Sequence, residues 1–175
     1  MDEVLSMSTS GQQDVVLDTS VLVNFLRIGR EDLLVGHPGF RFIITEHVRK
    51  EITDPSQIAC LEAIIAAGSF LETSVTDVDE LSLFARFSSR LGAGESAAIA
   101  VAVKRGLSLA LDDRAAKRIA TQELPAGALV LDTVAIVVSL IHAKVIDIAQ
   151  ADAMKSEWQS HHSFTLKFAS FGDVV

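Results

Sequence analysis

The sequence is poor in the residues that build several common kinds of site. It has a single cysteine, Cys60, in 175 residues, which excludes an internal disulfide framework and a zinc site made of several cysteines. That composition fits a reducing, cytoplasmic environment. Tyrosine is absent and only 6% of the residues are aromatic, so the sequence does not favour an RNA-binding surface of stacked aromatic rings.

Long apolar runs are also missing. A membrane-spanning helix needs roughly 18–20 uninterrupted apolar residues, and the longest candidate, residues 126–141, is interrupted by Asp132. Residues 1–4 lack the basic start of a secretory signal. We therefore expect a cytoplasmic protein with no membrane partner.

The chain also has few positively charged residues. The chain has 15 lysines and arginines against 23 acidic residues, and its net charge is −8. Proteins that bind nucleic acid through bulk electrostatic attraction are usually basic, so this class is disfavoured. An enzyme with an acidic, metal-loaded pocket stays open, because bound cations reverse the local charge. An acidic surface also suits a basic protein partner.

What the chain does have is apolar sequence in regular alternation. Apolar residues make up 49% of it, and 175 residues suffice for one domain with a sizeable core. We expect a flexible lead-in over residues 1–13 and a single domain over residues 14–175. Short apolar runs predict strands at residues 15–17, 40–44, 69–75, 107–111 and 129–131, and an edge strand at 164–168.

Helical periodicity occupies the intervals between these strands. The predicted helices cover residues 20–27, 46–52, 58–67, 78–91, 95–106, 112–122, 133–143 and 148–158. Continuously apolar strands that alternate with helices indicate a parallel sheet covered on both faces. The predicted fold is therefore α/β, with three α/β/α layers around a central, mainly parallel sheet of about five strands.

Acidic residues follow two of the predicted strands. Asp18 comes directly after the first strand, and Asp112 and Asp113 come directly after the strand at 107–111. The carboxyl ends of parallel strands share one edge of the sheet, where reactive groups gather in such folds. Each aspartate taken alone is most often a helix cap, so it is their common edge that points to a site.

Two glutamates are candidates for the same edge. Glu95 begins a helix just after Gly94, and Glu51 stands late in the helix that follows the second strand. Taken alone, Glu95 could complement a helix dipole and Glu51 could be a solvated surface charge. Several carboxylates in one pocket repel one another, and a bound cation removes that penalty. Hard oxygen ligands favour Mg²⁺ or Mn²⁺.

Four ordered motifs resemble the PIN-domain ribonucleases, which include the VapC-type toxins of toxin–antitoxin pairs. The motifs are residues 16–22 (VLDTSVL), 44–52 (ITEHVRKEI), 91–100 (LGAGESAAIA) and 109–120 (LALDDRAAKRIA). Singly each is weak, whereas the ordered set is fairly specific. The resemblance spans about residues 15–140 and implies the three-layer fold already predicted.

The resemblance also implies roles for individual residues. Asp18, Glu51, Glu95 and Asp112 match the family's acidic quartet, and Asp113 could share or replace the role of Asp112. The implied metal ligands are Asp18, Glu95, Asp112 and Asp113. Ser20, beside the first aspartate, could orient metal-bound water. Arg114, Lys117 and Arg118 could hold substrate phosphates, although a solvated basic helix face explains them about as well.

The implied activity is a Mg²⁺- or Mn²⁺-dependent endoribonuclease that leaves a 3′-hydroxyl and a 5′-phosphate. The family also implies an RNA substrate, a homodimer and a small antitoxin partner. One rival from another class stays open, a PIN-fold module that binds or assembles without cutting. Two other folds fit less well. A haloacid-dehalogenase-like phosphatase needs a second aspartate where Ser20 stands, and a nucleotide-binding Rossmann domain needs a glycine-rich turn that residues 19–21 lack.

Overall fold

Five parallel strands form one central sheet. The computed structural model describes residues 11–175, and within them the strand order is β3-β2-β1-β4-β5. The strands are β1 (Gln13–Leu17), β2 (Phe40–Thr45), β3 (Leu71–Thr73), β4 (Ser108–Ala110) and β5 (Val130–Leu131). The predicted α/β class and parallel sheet are confirmed.

Helices connect the successive strands, and further helices follow β5. They are α1 (Thr19–Arg27), α2 (Asp32–Val35), α3 (Glu46–Glu51), α4 (Pro55–Ala66), α5 (Val78–Ser88), α6 (Ala93–Arg105), α7 (Arg114–Glu123), α8 (Thr133–His142) and α9 (Ile148–His161). The short α2 was not predicted, since four residues carry too little periodicity to detect. No helix in residues 11–175 combines the length and apolarity needed to cross a membrane.

The central strand β1 separates two hydrophobic cores. Its last three residues are fully buried, and successive side chains point to opposite faces of the sheet. Val15 and Leu17 pack into a core shared with α1, α8 and α9, whereas Val16 packs into a core shared with α6 and α7. The three predicted layers follow from this division.

The predicted edge strand at residues 164–168 is wrong. The segment after α9 forms no strand, and the chain continues into a 3-10 turn at Phe171–Asp173. Its burial does alternate as a strand's would, but the aromatic side chains cover α9 and the 3-10 turn. The ring of Phe164 meets Trp158 at 5.5 Å, and that of Phe168 meets Phe171 at 5.0 Å.

The first described residues lead directly into β1. Strand β1 begins at Gln13, and the side chain of Gln12 donates to the backbone oxygen of His37 at 2.8 Å. Residues 1–10 of the predicted lead-in lie outside the described residues.

A buried histidine closes the turn before β2. Nδ1 of His37 accepts hydrogen bonds from the backbone N–H groups of Gly39 and Phe40, both at 3.1 Å. Its Nε2 lies 2.8 Å from Oγ of Ser139, which itself donates to the backbone oxygen of Ile136. The neutral ring with its proton on Nε2 satisfies all these contacts. Burial lowers the pKa of His37 to about 4.

We expect this histidine to make stability depend on pH. The folded-state pKa lies below the unfolded value of about 6.5, so its contribution is complete above pH 6.5 and is lost as pH falls towards 4. In urea denaturation at pH 7.5 and 5, His37→Asn should lose less stability on acidification than the wild type. His161→Asn, which changes an exposed histidine, is the control. Equal losses in the two variants would contradict the assignment.

Candidate functional site

Asp18 lies at the carboxyl end of the central strand, where β1 gives way to α1. Its backbone N–H donates to the carbonyl of Ala110 at 2.9 Å, which fixes it beside β4. Its Oδ2 accepts from the backbone N–H of Ser20 at 3.1 Å and from its hydroxyl at 2.5 Å, so the carboxylate caps α1. Among the described residues its Oδ1 is buried without a hydrogen-bond partner.

Burial is costly for this carboxylate. Desolvation raises the pKa of Asp18, the hydrogen bonds from Ser20 and Thr19 oppose that rise, and the charge of Glu51 adds to it. A helix cap alone would not require so complete a burial. The burial of Asp18 is therefore left uncompensated at its Oδ1 atom among the described residues.

Glu51 reaches the same edge from the last turn of α3. Its Oε1 accepts from the backbone N–H of Gly94 at 2.7 Å, and its Oε2 accepts from the hydroxyl of Thr19. A Cβ atom at position 94 would lie 2.7 Å from Cδ of Glu51. The carboxylate of Glu51 can take this position because a glycine leaves the space of a side chain open to it.

Glu95 stands in the first turn of α6. Its Oε2 accepts from the backbone N–H of Gly92 at 3.2 Å. Burial raises the pKa of Glu95, the Gly92 contact opposes that rise, and the charges of Asp18, Asp113 and Glu51 raise it further. The charges of three other carboxylates therefore act on Glu95.

The two aspartates after β4 have different surroundings. Asp112 turns towards α8 and α1. Its Oδ1 accepts from the backbone N–H of Thr133 at 2.9 Å, and its Oδ2 accepts from the Thr133 hydroxyl at 2.6 Å and Nδ2 of Asn24 at 2.9 Å. Burial raises its pKa, and Asp132 and Lys117 are the charges that act on it. Asp113 caps α7 through Ala116 N–H and faces Glu95.

Sequence reasoning missed the side-chain and backbone groups that hold these carboxylates in place. Thr19 and Gly94 fix Glu51, while Asn24 and Thr133 fix Asp112 and bond each other at 3.1 Å. One signal was available for Asn24, which follows Ser20 by one helical turn and so shares its face of α1.

The three basic residues at the start of α7 are not equivalent. Nζ of Lys117 forms an ion pair with Asp132, which caps α8, so this lysine joins two helix ends. Arg114 and Arg118 are exposed, and neither has an ion-pair partner within residues 11–175. Only the two arginines stay available to a phosphate in this arrangement.

The donor atoms of these acidic residues are of the type that binds a hard divalent cation. All the donors are carboxylate oxygens, one of them buried and unpartnered, and the set lies at the surface edge of the sheet. Within residues 11–175, however, no three His, Cys, Asp or Glu side chains already stand close enough to hold a metal ion. The backbone hydrogen bonds of Glu51 and Glu95 hold those carboxylates apart.

Comparison with known protein families identifies the family to which this fold belongs. A family model described as a PIN domain matches residues 14–162. The chain belongs to the PIN domain family. PIN domains are generally nucleases and generally use divalent metals. A comparison with the curated proteins gives no match.

Solved structures with a similar fold include three prokaryotic proteins. VapBC2 from Rickettsia felis, solved bound to a DNA fragment from its promoter, is 11% identical, with 69% of this chain and 98% of that chain covered and a TM-score of 0.47. PAE2754 from Pyrobaculum aerophilum is 17% identical, with 77% of this chain and 94% of that chain covered and a TM-score of 0.49. FitAcB from Neisseria gonorrhoeae is 14% identical, with 68% of this chain and 97% of that chain covered and a TM-score of 0.41.

We expect Gly94→Ala to displace Glu51 with little loss of stability. The new methyl group overlaps the Glu51 carboxylate, but this flexible side chain can swing away, and alanine favours the helix by about 1 kcal/mol. The unfolding free energy should change by less than about 1 kcal/mol, while Mn²⁺ affinity, measured by calorimetry, should fall roughly tenfold or more.

The matched control for this variant is Gly92→Ala. A Cβ atom at position 92 meets nothing closer than Glu95 Oε2 at 3.8 Å, an ordinary contact. This control should keep its Mn²⁺ affinity. Unchanged Mn²⁺ binding by Gly94→Ala would show that the Glu51 position does not matter.

Proposed function

We propose that this PIN domain is a divalent-metal-dependent endoribonuclease that hydrolyses RNA phosphodiester bonds. The observation that carries the proposal is the buried, unpartnered Oδ1 of Asp18 among like charges from Glu51, Glu95 and Asp113. An uncompensated cluster of this kind destabilises the fold, whereas a bound cation turns it into an attractive site.

The proposed ligands for Mg²⁺ or Mn²⁺ are Asp18, Glu95 and Asp113, with Asp112 beside them. When bound, such an ion would polarise the scissile phosphate and lower the pKa of water. The chain's own share is positioning. The hydroxyl and N–H of Ser20 occupy Oδ2 of Asp18 and leave Oδ1 free.

The surrounding hydrogen bonds hold the other acids in place before substrate arrives. Thr133 and Asn24 hold Asp112, and Thr19 holds Glu51. Pre-positioned groups of this kind need little reorganisation during the reaction. Arg114 and Arg118 are the proposed phosphate contacts, since Lys117 is already engaged with Asp132.

We further propose that the protein acts as the toxin of a toxin–antitoxin pair, as a cytoplasmic homodimer restrained by a small antitoxin. The support is the resemblance of the four motifs to the PIN-domain ribonucleases, a family that includes the VapC-type toxins, although the Gly-Glu helix start and the Leu-Asp-Asp-Arg segment are more typical of another subgroup. The net charge of −8 also suits a basic segment of such a partner.

A second candidate is a PIN-fold binding or assembly module without activity. The arrangement of Glu51 and Glu95 favours it, because their carboxylates bond to backbone N–H groups rather than converge on a common point. A nuclease requires the Glu95 side chain to turn towards the metal when it binds, whereas a module does not.

The nuclease proposal predicts metal-dependent RNA cleavage that depends on Asp18. With Mn²⁺ the wild type should cut single-stranded RNA, and Asp18→Asn should lower the rate on the order of 100-fold. The asparagine keeps an acceptor oxygen for the cap but carries no charge. The assay is product formation on end-labelled RNA, with EDTA as the metal-free condition.

The control for this assay is Asp147→Asn. Asp147 caps α9 through the backbone N–H of Gln150 and does not line the acidic edge, so its replacement changes only a capping charge elsewhere. It should cut at the wild-type rate. If Asp18→Asn also cuts at that rate, or if the wild type cuts none of a varied set of RNAs, the nuclease proposal fails.

The toxin proposal predicts a growth phenotype that depends on the same carboxylate. Expression of the chain alone in a bacterium should slow growth, because uncontrolled RNA cleavage depletes transcripts, and Asp18→Asn should relieve the effect. Growth curves at matched protein levels provide the measurement. Normal growth with well-expressed, RNA-cleaving wild type would count against a toxin while leaving the nuclease intact.

A further inference from the structure

A cleft of about 760 Å³ leads away from the acidic edge. Its near end is formed by Thr19, Ser20, Glu51 and Asp112. Arg27, His162 and Phe164 also line it, and we call these three residues its far end, because Arg27 lies at the opposite end of α1 from Thr19. A volume in the range of roughly 300–1,000 Å³ is typical of sites for small organic ligands. The cleft therefore has room for a nucleotide next to a phosphate held at the acidic edge.

The far wall comes from the segment that follows α9. Ser163 adopts the left-handed conformation, with φ at 56°, which turns the chain back beside the end of the helix. The N–H of Phe164 donates to the carbonyl of Trp158 at 3.2 Å, and the Phe164 ring packs edge-on against the Trp158 ring. This half-buried phenylalanine is thus fixed in the cleft wall.

Buried contacts connect that wall to the acidic edge. Nε1 of Trp158 donates to the carbonyl of Asn24 at 2.7 Å, and Nδ2 of Asn24 donates to Oδ2 of Asp112 at 2.9 Å. Trp158 is fully buried and Asn24 is nearly so. The aromatic wall and the carboxylates consequently keep a fixed separation.

The remaining cleft groups suit the other parts of a nucleotide. Arg27 is exposed in the last turn of α1 and has no ion-pair partner within residues 11–175. Asp54, which also lines the cleft, has its Oδ1 occupied by Ser56 and Gln57. The apolar side chains of Val23, Leu26 and Ile52 also line the cleft. Arg27 is thus the cation left to meet a phosphate at the far end.

We propose that this cleft binds the nucleotide adjoining the scissile bond of single-stranded RNA, with its base on Phe164 beside His162 and its phosphate at Arg27. The inference rests on the proposed nuclease function and extends it to a specific subsite. The family match ends at residue 162, so Phe164 lies beyond the part that the family model describes. The subsite therefore combines Arg27 and His162, which the match covers, with a phenylalanine that it does not cover.

The test measures RNA binding separately from cleavage. In an Asp18→Asn background, fluorescence anisotropy gives the Kd for a labelled single-stranded RNA of ten nucleotides at fixed ionic strength. Phe164→Leu keeps an apolar contact with Trp158 but removes the aromatic face, and it should weaken binding roughly tenfold. Arg27→Gln should also weaken binding. It should reduce the slope of the logarithm of the binding constant against the logarithm of the salt concentration by the amount that corresponds to about one lost phosphate contact.

Each variant has a matched control outside the cleft. Phe168→Leu changes a phenylalanine of the same segment that packs on Phe171, and Arg90→Gln changes an exposed arginine elsewhere. Both controls should bind RNA within about twofold of the parent. Circular dichroism and thermal midpoints of all four variants should match the parent, which separates a lost contact from a lost fold.

The outcomes distinguish this inference from the nuclease proposal beneath it. If the parent binds RNA and all four variants bind equally well, the subsite is overturned while the nuclease can stand. If the wild type neither binds nor cuts RNA, both proposals fail. If Phe164→Leu impairs binding of a basic peptide while neither Phe164→Leu nor Arg27→Gln impairs binding of RNA, the cleft is a protein-docking site and the inference is wrong.

Discussion

The structure depends on one electrostatic constraint, a group of like-charged carboxylates held at one edge of the sheet. Asp18 is the most constrained of them, since it is buried and one of its oxygens has no partner among the described residues. Each neighbour adds to the cost, as the raised pKa values of Asp18 and Glu95 show. A folded protein that keeps these carboxylates together needs an interaction that offsets their repulsion, and a bound cation is the simplest such interaction.

Topology brings the carboxylates together, and hydrogen bonds orient them. Parallel pairing of β1 with β4 places Asp18 beside the end of β4, and the starts of α6 and α7 supply Glu95 and Asp113. The backbone N–H groups at these helix starts hold the acids while no metal is bound. The same edge opens into the cleft, which Trp158 and Asn24 connect to Asp112.

Much of this architecture could be predicted from the sequence, because buried parallel strands are continuously apolar and the aspartates directly follow them. The different orientations of Asp112 and Asp113 could not, since they depend on Asn24 and Thr133, which are distant in sequence. The segment at residues 164–168 has a strand-like alternation, yet its apolar side chains cover α9. Period-two burial is thus compatible with a packed, unpaired segment, and only tertiary contacts tell the two apart.

The most direct test of the central claim is a crystal structure with Mn²⁺, located by its anomalous scattering. The account predicts an ion about 2.2 Å from Oδ1 of Asp18, with Asp113 and Glu95 among its ligands and Glu95 turned away from the Gly92 N–H. An acidic edge that stays empty at saturating Mn²⁺, with Asp18 Oδ1 still unpartnered, would contradict the account.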